Sequence, residues 1–184
     1  WMEAGVIVPW QMYQQYGDVR ILEQHYASMV AYMDYLERRA VRYVQPFGGF
    51  GDWLAIEPTN SMLTNTAYSA YDALIMEQVA KRLGKDADQR RFRTFYENVK
   101  RSFNDLFVNE EGRTFAPTVE SIFGKDSQVG MWPGTAATEA KIVDTQTSYV
   151  VPLQFDLFNE KNKPLAIRHL VENIKKHNYT LTTG

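Results

Sequence analysis

The stretch LIMEQVAKRLGKDADQRRFRTFYENV, residues 74–99, contains the end of one amphipathic helix and the beginning of another. Apolar side chains recur at the helical period on both sides of its glycine: Leu74, Ile75, Val79 and Leu83 before it, and Phe92, Phe95, Tyr96 and Val99 after it. Gly84 is typical of a position just past a helix C-terminus, and Asp86 or Asp88 is expected to cap the second helix. Because so short a turn joins them, the two helices are predicted to pack as an antiparallel hairpin.

Helical periodicity continues over most of the chain. It predicts helices from Ala4 to Tyr16 and from Ser61 to Leu83, one after the turn at residues 16–18, and a last one with Pro164 in its first turn. The stretch DTQTSYVVPLQFDLF, residues 144–158, predicts another helix. Pro9 and Pro152 lie among apolar residues, so the helices that contain them are expected to be largely buried. Because alternating strand patterns are scarce, the fold is predicted to be all-α, with long connections at 41–60 and 109–143.

Composition limits the possible partners and cofactors. The chain has 184 residues, 45% of them hydrophobic, which is enough for one domain or a part of one. A formal charge of −2 gives no electrostatic reason to expect nucleic acid or an anionic membrane as a partner. Without cysteine there can be no disulfide or thiolate metal site, and no zinc or calcium ligand spacing occurs. No metal and no membrane span are expected, and the compartment (cytoplasmic, periplasmic or extracellular) stays open.

The motif GFGDWL, residues 49–54, is the first candidate for a binding loop. Glycines at positions 48, 49 and 51 permit a close approach of the backbone to a ligand. A carboxylate next to an indole suits a sugar, because the C–H face of the ring lies on the aromatic side chain while the acid accepts hydroxyl hydrogen bonds. The structural alternative is that Asp52 caps a turn and Trp53 fills the core.

Four motifs together resemble one family. WMEAGVIVPWQMYQQYGD at 1–18, GDWL at 51–54, DTQTSYVVPL at 144–153 and LTTG at 181–184 resemble, in order and spacing, the catalytic domain of bacterial α-L-rhamnosidases. The resemblance implies an (α/α)6 toroid, with residues 1–184 as part of one catalytic domain of a longer polypeptide. It also implies inverting hydrolysis that releases terminal α-L-rhamnose from a carbohydrate substrate, without a cofactor and with further domains of the same chain as partners.

The resemblance also implies which residues hold the sugar. Trp1, Glu3, Asp52, Trp53 and Trp132 are expected to form one flank of the pocket. The general acid is expected before Trp1 and the general base after Gly184, so this chain alone is expected to be inactive.

Several of these site residues have structural alternatives. Glu3 is also a favourable charge at a helix N-terminus, and Trp132 can instead brace its own loop. Asp144 and Gln146 are candidates for polar groups at the barrel mouth, but Asp144 is interpreted first as a helix N-cap.

The opening motif departs from the family pattern. The family usually has Gly-Trp-Gly-Asp-Ala, whereas this chain has Trp1, Met2, Glu3 and Ala4. A glutamate moves the carboxylate by about 1.5 Å relative to an aspartate, and a misplacement of that order can lower a rate about a hundredfold. Two other functions therefore stay open: a different six-hairpin glycosidase of the trehalase or glucosidase type, and a noncatalytic helical module that binds a protein or glycan.

Overall fold

The computed structural model describes residues 2–46, 51–124 and 140–184. Helices account for most of these residues: α1 Ala4–Tyr16, α2 Arg20–Arg39, α3 Ser61–Arg82, α4 Asp86–Phe107, α5 Val119–Phe123, α6 Gln146–Gln154 and α7 Asn162–Lys176. The short strands β1 (Phe115–Ala116) and β2 (Lys141–Ile142) pair antiparallel. The prediction of an all-α fold is confirmed. None of the helices within the described ranges has the length and apolarity needed to cross a lipid bilayer.

The hairpin of α3 and α4 forms the centre of the packing. Helix α3 is buried on several faces at once and contacts α1, α2, α4 and α6. Small side chains permit this close packing, since the fully buried positions of α3 include Ala67, Ala70, Ala73 and Ala80. Helix α4 instead buries a single stripe, in which Phe103 stacks on Phe107 and meets Phe158 edge to face. Helix α3 is therefore internal, and α4 lies on its outer side.

The turn between these helices agrees with the predicted hairpin but not with the predicted cap. Gly84 has a φ of 68°, the left-handed conformation expected just past a helix end. Helix α4 begins at Asp86 itself, and Lys85 in the capping position makes no side-chain cap hydrogen bond. The prediction that Asp86 or Asp88 caps the helix is wrong, because both acids lie inside the first turn. Asp88 instead accepts a 2.6 Å hydrogen bond from the Tyr26 hydroxyl of α2.

The two helices that contain proline differ in burial. In α6, residues Gln146 to Tyr149 and Pro152 are buried, as predicted. In α1 only Val6 and Pro9 are buried, while Val8 and Met12 are 54% and 41% exposed. The prediction that α1 is largely buried is therefore wrong within the described residues.

Helix α6 is shorter than the predicted segment at both ends. It begins after Thr145, whose hydroxyl accepts from the Ser148 N–H while the Ser148 hydroxyl accepts from the Thr145 N–H, a capping box. Asp144 is therefore not the N-cap, and that interpretation was wrong. The helix ends at Gln154, and Asp156 then takes a left-handed φ of 52°. The Asp156 carboxylate binds Lys100 of α4 and Lys163 of α7, each at 2.8 Å.

Gly112 offers a test of the packing of α7 against the turn that follows α4. It has a φ of 76°, and an added Cβ would overlap the Leu165 side chain of α7, with Leu165 Cδ1 only 2.8 Å away. Gly84 has a similar φ of 68° but no atom within 4 Å of an added Cβ. Both alanine substitutions cost about 1–2 kcal/mol of backbone strain. Only Gly112→Ala adds an overlap worth about 1–3 kcal/mol.

We therefore expect Gly112→Ala to lower the thermal midpoint by about twice as much as Gly84→Ala, or more, in calorimetry of the purified protein. Equal losses from the two substitutions would show that α7 does not pack against this turn as described.

Candidate functional site

A large cavity opens where the start of α1, the first half of α3 and the loop 51–60 meet. Its volume is about 990 Å³, at the upper end of the range of small-molecule sites. Helices α2 and α6 and the segment 183–184 complete its wall. Its polar and aromatic lining comprises Glu3, Tyr32, Arg39, Gln45, Asp52, Trp53, Thr64, Asn65, Tyr68, Thr147 and Thr183. Three of the five predicted sugar-binding residues, Glu3, Asp52 and Trp53, thus lie on one cavity.

Glu3 lies at the N-terminus of α1. Its carbonyl accepts hydrogen bonds from the N–H groups of Val6 at 2.9 Å and Ile7 at 2.8 Å, and its side chain makes no cap hydrogen bond to the helix. The carboxylate is half-buried and faces the cavity. Glu3 is therefore placed both where its charge interacts favourably with the dipole of α1 and where it faces a ligand. The helix-dipole role does not exclude the binding role.

Asp52 is held by residues far from it in the sequence. Its Oδ1 accepts from the Gly184 N–H at 2.9 Å, and its Oδ2 accepts from the Thr59 hydroxyl at 3.3 Å. Thr59 in turn shares a 2.6 Å hydrogen bond with Thr145, the N-cap of α6. The carboxylate therefore does not cap its own turn, as the structural alternative required. It is fixed at the cavity edge by the start of α6 and by the segment that ends at Gly184.

Trp53 projects from the same loop into solvent at the cavity mouth. Its side chain is 53% exposed, and it lines the cavity. The alternative that Trp53 fills the core is therefore wrong. The next residue, Leu54, takes a left-handed φ of 62° although it is not a glycine. Strain of this kind is concentrated at binding loops.

Two tyrosines that the sequence patterns did not single out also face the cavity. Tyr68 of α3 is half-buried and packs edge to face on Phe155 with a centroid distance of 5.2 Å. Burial, followed by the negative charge of Glu3 and, more weakly, of Asp52, raises the pKa of Tyr68. Burial and the Glu3 charge likewise raise the pKa of Tyr32 of α2. Both hydroxyls are therefore protonated donors located near the predicted carboxylates.

A buried carboxyl lies close to this cavity. Asp72 of α3 has no exposed surface, and neither of its oxygens has a hydrogen-bond partner in the described part of the chain. Burial raises the pKa of Asp72 well above its ordinary value, and the charge of Glu3 raises it further. The hydroxyl of Tyr32, which is within electrostatic reach of Asp72, also lacks a partner among the described residues. Burial without a hydrogen-bond partner thus favours the protonated form of Asp72.

The other candidates take different places. Asp144 and Gln146 do not line the cavity, although the next residue along α6, Thr147, does. Asp144 accepts hydrogen bonds from the Tyr149 hydroxyl and from Arg113, at 2.7 Å for Arg113. Trp1 and Trp132 lie outside the described residues. Within the described ranges no three His, Asp or Glu side chains are arranged to hold a metal ion.

Residues 1–184 match the family model described as the bacterial alpha-L-rhamnosidase 6 hairpin glycosidase domain. The chain belongs to this family. It is 29% identical over its whole length to the alpha-L-rhamnosidase of Formosa agariphila, of which it covers 18%, and 29% identical to that of Streptomyces avermitilis, of which it covers 15%.

Solved structures show the same relationship. This six-hairpin glycosidase domain superposes on the Streptomyces avermitilis alpha-L-rhamnosidase complexed with L-rhamnose with a TM-score of 0.79 at 29% identity. It superposes on the alpha-L-rhamnosidase from Dictyoglumus thermophilum with a TM-score of 0.78 at 29% identity. The chain covers all of its own length but only 15% and 19% of those two chains. The prediction of part of an (α/α)6 toroid is confirmed.

The raised pKa of Asp72 predicts a specific pH dependence of stability. As the pH rises above the ordinary carboxyl pKa, the unfolded chain ionises at this residue while the folded chain keeps its proton, so stability falls with rising pH. Asp72→Asn removes this effect. The free energy of unfolding of the variant, relative to the wild type, should therefore increase between pH 4 and pH 7. The expected gain is about 1.4 kcal/mol for each unit by which the pKa is raised, and it is measured as a rise in the relative thermal midpoint.

Asp105→Asn, on the exposed side of α4, is the matched control and should show no such trend. If both variants follow the same pH dependence as the wild type, burial does not raise the pKa of Asp72 in the folded protein.

Proposed function

We propose that the protein containing this chain is an inverting glycoside hydrolase that releases terminal α-L-rhamnose, and that this chain forms one flank of its sugar pocket. The observation that carries the proposal is the convergence of one half-exposed indole and two carboxylates on a single cavity. These residues come from separate elements, the start of α1 and the loop before α3. Family membership and relatives that are alpha-L-rhamnosidases support the choice of substrate.

The cavity lining matches the chemistry of a pyranose. A sugar presents an apolar C–H face and a ring of hydroxyls, so it needs an aromatic surface and groups that accept and donate hydrogen bonds. Trp53 supplies the aromatic surface, while Glu3 and Asp52 supply carboxylate acceptors. Tyr68 supplies a protonated hydroxyl donor, and the Tyr32 side chain forms part of the wall with its hydroxyl buried. Hydrogen bonds to charged groups are worth about 1.5–3 kcal/mol each, which is enough to orient a small ligand.

Binding of this kind contributes to hydrolysis only where it is stronger in the transition state. The oxocarbenium-like transition state of glycoside hydrolysis strengthens hydrogen bonds from the sugar hydroxyls, and anionic acceptors next to the ring favour that change. We propose this role for Glu3 and Asp52. The acid that protonates the leaving oxygen and the base that activates water are proposed to lie outside residues 1–184, as the family resemblance implies. Trp1 and Trp132 stay proposed members of the same pocket.

The chain is further proposed to be one part of a larger catalytic toroid. It spans less than a fifth of the relatives with which it was compared. The remaining hairpins and domains of the same polypeptide are therefore proposed as partners, in addition to the carbohydrate substrate.

Trp53→Ala in the full-length protein tests the proposed pocket. The wild type should release rhamnose from an aryl α-L-rhamnoside, and Trp53→Ala should lower kcat/KM about 10- to 100-fold, because an aromatic anchor of this kind contributes about 1.4–2.8 kcal/mol. Tyr16→Ala is the matched control, since Tyr16 is 71% exposed and does not line the cavity. The measurement is steady-state hydrolysis at equal folded concentrations.

Unchanged kinetics in Trp53→Ala would remove the indole from the pocket. Release of glucose from an aryl α-glucoside, with no action on the rhamnoside, would replace the proposed substrate by that of another six-hairpin glycosidase.

A further inference from the structure

Gln146 connects α6 to the segment that forms one wall of the cavity. Its side chain is 1% exposed, and it lies in the first turn of α6. The Nε2 group donates to the Thr180 carbonyl at 2.9 Å, and the Oε1 atom accepts from the Thr182 N–H at 3.2 Å. The amide thus satisfies a carbonyl and an N–H of one extended segment, as a neighbouring β-strand would. This pair of bonds fixes the position of the segment along its own axis.

The same segment then binds the loop that contains Asp52. The Thr182 carbonyl accepts from the Ile56 N–H at 3.1 Å, and the Gly184 N–H donates to Asp52 Oδ1 at 2.9 Å. A Cβ at Gly184 would overlap the Trp53 carbonyl oxygen and lie 2.7 Å from the Trp53 carbonyl carbon. Segment and loop are therefore in close backbone contact at the two residues proposed to hold the sugar.

The loop has little regular structure of its own to hold it in place. Residues 51–60 contain no helix or strand, and α3 begins only at Ser61. Helix α6, by contrast, begins with a complete capping box at Thr145, directly before Gln146. A continuous hydrogen-bonded connection thus runs from a fixed helix end, through Gln146 and the segment 180–184, to the Asp52 carboxylate. Loss of Gln146 detaches the segment from α6 and leaves the hydrogen bonds of Thr59, to Asp52 and to Thr145, as the remaining link between the carboxylate and this helix end.

We propose that Gln146 is a positioning residue that orients the Asp52 carboxylate toward the sugar through the segment 180–184. The kinetic consequence rests on the proposed function, in which Asp52 contacts the substrate. Gln146 itself does not touch the cavity. Because a displacement of about 1 Å can lower a rate about a hundredfold, loss of the connection should be visible in hydrolysis.

A double-mutant cycle in the full-length protein separates positioning from general stability. Gln146→Met keeps the length of the side chain and removes both hydrogen bonds, and it should lower kcat/KM on an aryl α-L-rhamnoside at least tenfold. In the background of Asp52→Ala the same substitution should change kcat/KM less than twofold, since no carboxylate remains to be oriented. Gln154→Met, at an exposed position of α6, is the control and should change neither value. Multiplicative effects of the two substitutions would overturn the proposal.

Hydrogen exchange provides a readout that does not depend on the substrate. The N–H groups of Ile56 and Gly184 should exchange faster in Gln146→Met than in the wild type or Gln154→Met, because the segment 180–184, which contains the acceptor for Ile56 and the Gly184 donor, is then no longer held by Gln146. Unchanged exchange at both groups would overturn the proposal. If the wild type is inactive on the rhamnoside but Gln146→Met still shows faster exchange than the wild type, the proposed function is refuted while the link from Gln146 to Asp52 is retained.

Should Gln146→Met fail to fold, Gln146→Glu keeps the acceptor, removes the donor and places a carboxylate against the Thr180 carbonyl oxygen. Because the two oxygens repel each other, this variant should also raise exchange at Ile56 and Gly184, and no increase at either group would overturn the proposal.

Discussion

The burial of α3 on several faces is the constraint on which the rest of the structure depends. A helix that is apolar on several sides has no stable place at a surface, so α1, α2, α4 and α6 must all lie against it. Its first half remains at one end of this arrangement, where Asn65 and Tyr68 face the cavity. The loop that enters α3 contains Asp52 and Trp53. The site is therefore located by the same packing that forms the core.

Polar groups near the cavity are held at a cost to stability. Asp72 and the Tyr32 hydroxyl are buried without hydrogen-bond partners in the described residues, and each such group costs about 1–3 kcal/mol. The apolar stripe of α4, with Phe103 and Phe107 fully buried, offsets costs of this size, since a buried aromatic side chain contributes about 1.5–3 kcal/mol. Polar groups without hydrogen-bond partners and side chains with shifted pKa values, gathered next to a cavity, are typical of functional sites rather than of core packing.

The parts of the structure that follow local rules could be predicted from the sequence. The bounds of α1, the hairpin at Gly84 and the position of Pro164 in α7 agree, because periodicity, the left-handed glycine and proline tolerance act within a few residues. The predicted end of α6 at residue 158 was wrong, because lysines from α4 and α7 hold Asp156 in a turn. The caps proposed for Asp86 and Asp144 failed for a related reason: both carboxylates lie one residue away from the N-cap on opposite sides.

The candidate site could be predicted only in part. The acid next to an indole in GFGDWL indicated Asp52 and Trp53, the family resemblance added Glu3, and the structure brings all three to one cavity. Tyr32 and Tyr68 were missed, since in the sequence they are ordinary members of apolar helix faces. The connection from Gln146 to Asp52 spans 94 positions of the chain through the segment 180–184, and no local pattern indicates a contact at that separation. Long-range hydrogen bonds of this kind become visible only when the helices are in place.

The most direct test of the account is a crystal structure of the full-length protein with L-rhamnose bound. We expect the C–H face of the sugar on the Trp53 indole, with hydroxyls within hydrogen-bond distance of the Glu3 and Asp52 carboxylates. A sugar bound elsewhere, or one that occupies this cavity without contact to Trp53 and to either carboxylate, would contradict the account.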